Sequence, residues 1–259
     1  MSNEPNPPAL EMRGVDIVCL RRPEVAVVRN VDWTVAAGDF WVVAGPQHSG
    51  KTDLLMVAAG LTFPANGTCQ LFGRDNGERG DPEHTNRLRV GFVFQGGQLF
   101  NQLTVAQNIA LALRYHKILT DAELSQEVMT LLEWTELLPL AEASPLTLAV
   151  NWRQRVALAR ALALRPELLL LDNPLTGLGV RHLQWWLRIL EQLSRGHEPL
   201  GGRPMTIVAT TDDLRPWPKV GRQFALLHEE KFTLLGGWRE VECAEHEIVK
   251  ELRAVEMGP

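Results

Sequence analysis

The stretch Phe40 to Leu54, FWVVAGPQHSGKTDL, constrains this chain more than any other. Gly45, Pro46, Gln47, His48, Ser49, Gly50, Lys51 and Thr52 have the spacing of a P-loop, in which backbone N–H groups close around phosphates and a lysine adds a positive charge. Phe40 to Ala44 is an apolar run of strand type and Thr52 to Ala59 a helical one. The loop therefore falls where a strand feeds a helix N-terminus, whose dipole favours an anion. The pattern predicts Lys51 at the outer phosphates and the Thr52 hydroxyl on a magnesium ion. A Gly-rich turn without a ligand is the competing reading of the same eight residues.

The 259 residues are 45% hydrophobic and 22% charged, enough for one sizeable core with a small second lobe. A net charge of −5 argues against general nucleic-acid binding, which needs a basic surface. Cys19, Cys69 and Cys243 are too scattered for a metal site and read as reduced thiols. The opening MSNEPNPPAL lacks the basic and apolar regions of a signal peptide, and no apolar run reaches bilayer-spanning length, so any membrane role requires a partner.

In chain order, Leu10 to Leu20 and Val25 to Val35 read as alternating strands, and the P-loop helix stops near Gly60. Thr68 to Phe72 and Leu88 to Phe94 read as strands, with Gly73 to Asn86 a polar loop between them. Helical spacing covers Leu103 to Leu113, Asp121 to Ala141 with Thr120 or Asp121 as cap, and Val180 to Leu193. Four leucines, Leu168 to Leu171, form a buried strand ending in Asp172, where an acid beside a P-loop can hold magnesium or simply cap the strand. Met205 to Thr210 and Phe224 to His228 are further buried strands. Trp238 to Met257 reads as one charged helix with Val241, Ala244, Ile248, Leu252 and Val255 on one side, a face that can dock on its own core, which is the expectation, or on a second subunit.

The order of P-loop, RVGFVFQ, a helical block and RQRVALARALALRPELLLLD resembles the ATPase subunit of ATP-binding cassette (ABC) transporters over Leu10 to Gly236. The resemblance implies an α/β fold of P-loop NTPase type, with a RecA-like core sheet, an N-terminal antiparallel β lobe and an α-helical subdomain. It implies one domain over 1–259: a nucleotide-binding core at 10–95 and 154–236, the helical subdomain at 96–153 and a C-terminal helix at 237–259. The segment FQGGQLFNQLTVAQNIALALRYH, Phe94 to His116, is similar to the ATPases of bacterial Mla and Mce lipid-transport systems. By the same resemblance ATP and Mg2+ are the ligands, Thr52, Gln95 and Asp172 the metal residues, and an integral membrane permease and a second ABC subunit the partners. The second subunit makes a homo- or heterodimer, located in the cytoplasm on the inner face of the membrane.

Several family positions are replaced. The signature, normally Leu-Ser-Gly-Gly-Gln, falls on Leu148, Ala149, Val150, Asn151 and Trp152, and only the leucine survives. Asn173 stands where a glutamate polarises the attacking water; an amide cannot take its proton at neutral pH. Thr211 stands where a histidine contacts the terminal phosphate and is expected to offer one hydrogen bond. Gly179 replaces an aspartate, and Tyr115 lies far from the adenine-stacking position near Cys19 to Arg22. No catalytic residue is intact. The expectation is therefore nucleotide binding with weak or absent hydrolysis. Three alternatives stay open: a regulatory or scaffold protein without transport function, a P-loop kept for its turn geometry alone, and an active enzyme with Asp212 or Asp213 as base.

Overall fold

The computed structural model describes residues 7–19, 22–75, 85–116, 119–197 and 201–254. The ten strands among them form one sheet, in two halves of different character. Strands β1 (Leu10–Cys19), β2 (Arg22–Val35), β4 (Asn66–Leu71) and β5 (Arg74–Asp75) pair antiparallel. The other half carries the P-loop strand β3 (Phe40–Ala44), with β6 (Val90–Val93), β7 (Leu168–Leu171), β8 (Thr206–Thr211), β9 (Gln223–His228) and β10 (Lys231–Gly236). The full order is β5-β4-β1-β2-β10-β9-β3-β8-β7-β6. β3 runs parallel to both neighbours, β8 and β9, and β7 parallel to β8 and β6. The P-loop strand thus lies inside the parallel half, which fixes the start of the loop that follows it.

Residues of β3 and β7 alternate between two cores, because successive strand side chains point to opposite faces. Trp41, Val43, Leu168 and Leu170 join the core that packs helix α1 (Lys51–Ala58) between the two sheet halves. Phe40, Val42, Ala44, Leu169 and Leu171 face the other helices. Burial on both faces is why these strands read as unbroken apolar runs. Opposite α1 lie α3 (Val105–His116), α4 (Asp121–Trp134), α5 (Val150–Leu162) and α6 (Val180–Arg195). A one-turn helix α2 (Thr85–Leu88) precedes β6. Among the described residues no helix is long and apolar enough to cross a membrane.

Three expectations change. The helix expected to run to Ala141 ends at Trp134: Glu136 takes a left-handed φ of 60° and Pro139 opens a short 3-10 turn, Leu138–Leu140. The single C-terminal helix is two, α7 (Trp238–Cys243) and α8 (Glu247–Ala254), because Ala244 leaves the helical conformation. That break rephases the buried face, so Val249 and Leu252 pack inward with Val241, while Ile248 is only half-buried and Val255 lies outside the described residues. The tail docks on its own core as expected, with Leu214 N–H donating to Leu252 O at 2.9 Å. The loop expected over Gly73 to Asn86 contains β5 and α2, and its residues 76–84 lie outside the description.

Thr120 caps α4 as expected, with Glu123 completing a reciprocal capping box. Thr120→Ala is expected to destabilise the protein by about 1 kcal/mol, read as a lower urea midpoint at unchanged m-value.

Candidate functional site

The loop after β3 folds around its own lysine. Lys51 Nζ donates to Gly45 O and Pro46 O, both at 2.7 Å, and the side chain is only 7% exposed. Burial pushes the Lys51 amine below its ordinary value, and the charges of Asp212 and Asp172 partly restore it. Two positions require glycine. A Cβ on Gly45 would meet Leu227 O at 2.4 Å, and one on Gly50, at φ 96°, would meet Val27 Cγ1 at 2.3 Å. His48 also has a left-handed φ, 64°, and the buried Ser49 Oγ has no hydrogen-bond partner. This cradle of turned backbone, a buried cation and an unpaired hydroxyl at a helix N-terminus fits a polyphosphate.

Asp172, at the end of β7, arrives beside the loop. The Thr52 hydroxyl donates to Asp172 Oδ2 at 2.8 Å and the Thr210 hydroxyl to Asp172 Oδ1 at 3.1 Å. Burial pushes the Asp172 carboxyl up, against the pull of those two hydroxyls, the Lys51 charge and the Gln95 N–H. Thr52, Asp172 and Gln95 border one cleft of about 800 Å3, an all-oxygen donor set suited to a hard cation such as Mg2+. Gln47, His48, Ser49, Gly50, Lys51 and Asn173 line it too; Gly45 is buried beneath, and Pro46 faces a second hollow.

Thr211 does not meet its expectation. Its hydroxyl donates to Asp213 O at 2.7 Å and accepts from Asp213 N–H at 3.0 Å and from Trp217 Nε1 at 3.1 Å. A hydroxyl has one proton and two lone pairs, so nothing is left for a phosphate. It borders the second hollow, not the cleft. Trp217, six residues on and fully buried, gave no sequence signal for this role.

Sequence reasoning also missed part of the cleft wall. Val25, Ala26 and Val27 contribute an aliphatic side, and Glu229 and Glu230 enter from the β9–β10 turn, both at positive φ. Nothing local in two consecutive acids announces a place 180 residues away in the chain. Cys19 lines the cleft at the expected base-stacking end, while residues 20–21 of that position lie outside the description. Tyr115 is 80% exposed and belongs to a different hollow.

Of the signature positions, Val150, Asn151 and Trp152 form the first turn of α5. Ala149 is its N-cap and makes no side-chain hydrogen bond, and Val150 is exposed. Asn151 Nδ2 contacts His182 Nε2 at the start of α6, and the Trp152 ring meets His182 edge-on. Between the helices lies the buried Arg155, its guanidinium 3.9 Å from the Trp185 ring and 4.6 Å from that of Trp152. It donates to Glu136 at 3.0 Å and contacts His182 Nδ1 at 3.1 Å. This segment is tied into its own subunit by an aromatic and ionic clasp.

Burial, Arg155 and Arg181 hold the His182 imidazole below its ordinary value, against a smaller pull from Glu136. The unfolded chain therefore takes up a proton at higher pH than the folded one. Stability contributed by neutral His182 is complete above the ordinary histidine range and is lost as pH falls through it toward the depressed value. The urea midpoint is expected to drop between pH 7.5 and 5.5 by more in the wild type than in His182→Gln.

A P-loop on one parallel strand, with a carboxylate ending a parallel strand two places away in the same sheet, defines a P-loop NTPase. Residues 28–176 match the family model described as ABC transporter, and the chain belongs to that family. It is 37% identical over 217 residues to the sulfate/thiosulfate import ATP-binding protein CysA of Synechococcus elongatus, covering 83% of this chain and 59% of that protein. It is 34% identical over 225 residues to the spermidine/putrescine import ATP-binding protein PotA of Trichodesmium erythraeum, covering 86% and 56%. The chain thus spans less than two thirds of the length of these relatives. Among solved structures it resembles the ATP-binding cassette MJ0796 in a dimeric post-hydrolysis state bound to ADP and Pi. That likeness has a TM-score of 0.77 and 26% identity, and covers 88% of this chain and 99% of that one.

Proposed function

We propose that this chain is an ATP-binding subunit of an ABC transporter that holds Mg-ATP at Gly45 to Thr52 and hydrolyses it poorly. One juxtaposition carries the reading: Lys51, Thr52 and Asp172 meet in a single cleft, whereas Thr211 is turned away and Asn173 offers an amide in place of a base. Lys51 and the loop amides bind and orient the phosphates, and Thr52, Asp172 and Gln95 would hold a magnesium ion. When bound, that ion would neutralise charge on the phosphates. Asn173, at the position of the family's glutamate, is an amide and cannot accept a proton from water.

The chain acts as one ATP-binding domain, with 10–95 and 154–236 as core, 96–153 as helical subdomain and the tail as cover. It works as a homo- or heterodimer on the cytoplasmic face of a membrane permease. Support for the permease comes from an apolar hollow of about 550 Å3 beside Gln95, bordered by Phe94, Phe100, Leu111 and Tyr115, with Phe100 and Tyr115 exposed. Such a groove suits a short amphipathic helix. Phe100→Asp is expected to move the chain from the membrane to the soluble fraction of its native host, and unchanged co-sedimentation would count against this docking surface. The cargo has two candidates. The segment Phe94 to His116 favours a lipid, and the relatives' names favour a small inorganic or polyamine ion.

Binding and turnover are tested together by calorimetry with Mg-ATP and by phosphate release. A scaffold role without transport is the second reading, favoured by the clasp that holds the signature helix to α6. Recovery of the folded, nucleotide-free chain from its host without any membrane protein would support it.

A further inference from the structure

The turn between β9 and β10 is made of two residues that suit it badly. His228 pairs with Lys231, so Glu229 and Glu230 are the whole connection, and both take a left-handed φ, 49° and 61°. Positive φ at both positions is the pattern of a type I′ hairpin turn, which favours asparagine and glycine because a Cβ crowds the backbone there. The two carboxylates have different fates. Arg29 Nε donates to Glu230 Oε2 at 2.8 Å and Arg29 N–H to Glu230 O at 2.8 Å, which draws Glu230 onto β2. Glu229 makes no hydrogen bond or ion pair with any described residue, and its exposed side chain borders the P-loop cleft.

Position decides what Glu229 can meet there. β9 brings Leu227 O against Gly45, and the parallel pairing of Lys231 with Arg29 sets the turn level with Val27, whose side chain lies against Gly50. The turn thus flanks the phosphate loop on the side of the aliphatic wall formed by Val25, Ala26 and Val27. Phosphates on the loop repel a carboxylate, and an aliphatic wall suits a base. Between phosphates and base lies the sugar, whose hydroxyls donate to a carboxylate, as ribose does to an acid in dinucleotide-binding folds.

We propose that Glu229 is a specificity-determining residue that accepts a hydrogen bond from a ribose hydroxyl of the bound nucleotide, so that the cleft prefers ribonucleotides to their deoxy analogues. The proposal rests on the nucleotide-binding reading above. It also gives the unfavourable turn a role, since glycine would fit the backbone better but would carry no acceptor.

The test is calorimetric titration of the full chain with the magnesium complexes of ATP, 2′-deoxy-ATP and 3′-deoxy-ATP, in the wild type and in Glu229→Gly. In the wild type at least one deoxy analogue is expected to bind about tenfold or more weaker than ATP, the loss of one hydrogen bond to a charged acceptor. Glu229→Gly is expected to bring all three within about threefold of one another. Its urea midpoint is expected not to fall, since glycine accepts the left-handed φ at no steric cost, so misfolding does not imitate the result. Both deoxy analogues within about threefold of ATP in the wild type, or discrimination that survives in Glu229→Gly, would overturn the proposal and leave nucleotide binding intact. A folded wild-type chain that binds none of the three would overturn both the proposal and the reading beneath it.

Discussion

Lys51→Ala is expected to weaken Mg-ATP binding by about 100-fold or more, because it removes the one buried cation that can reach the outer phosphates. The same substitution is expected to leave stability nearly unchanged. Two carbonyls, Gly45 O and Pro46 O, lose a donor at about 1 kcal/mol each, while the cost of keeping an ammonium 7% exposed disappears. The depressed pKa of Lys51 has burial as its largest cause, so the second effect opposes the first. Affinity and stability should therefore separate, affinity read by calorimetry and stability by urea unfolding. A loop retained only for its turn geometry predicts the reverse: no affinity to lose in the wild type, and a loss of stability in the variant.

Asn173→Glu is expected to leave phosphate release within about threefold of the wild type, although a positioned base ordinarily contributes 10²- to 10⁴-fold. One reason is local. Asn173 sits at φ 48°, a left-handed conformation that asparagine tolerates and glutamate resists by about 1 kcal/mol. The others lie at a distance. Thr211 has no proton to give, and Ala149, Val150 and Trp152 cannot supply the hydroxyl and close backbone approach of an intact signature. Each missing hydrogen bond to a charged oxygen is worth about 1.5–3 kcal/mol. Groups that act as a unit do not recover singly. Robust turnover in the single variant would show that the signature argument is mistaken.

The P-loop, its strand and Asp172 were legible because local pattern specifies them: an apolar run, glycines at fixed spacing, a lysine, and four leucines ending in an acid. The cap at Thr120 was legible for the same reason. Features made by contacts distant in sequence were not. Glu229 and Glu230 reach the cleft through the β10–β2 neighbour relation, a single parallel pairing of Lys231 with Arg29. The fate of Thr211 depends on where Trp217 lands after a turn. The clasp of Trp152, Arg155, His182 and Trp185 joins two helices whose separate periodicities say nothing of each other. The tail misled because its apolar spacing was continuous while its backbone was not, and Ala244 gives no punctuation of the kind a glycine or proline would.

The most direct measurement is Mg-ATP titration of the purified wild-type chain by calorimetry, with phosphate release followed in the same preparation and Lys51→Ala as control. Saturable binding that Lys51→Ala abolishes, with release no faster than in that variant, is the predicted result. Release well above the Lys51→Ala background, or no binding by a folded wild-type chain, would contradict it.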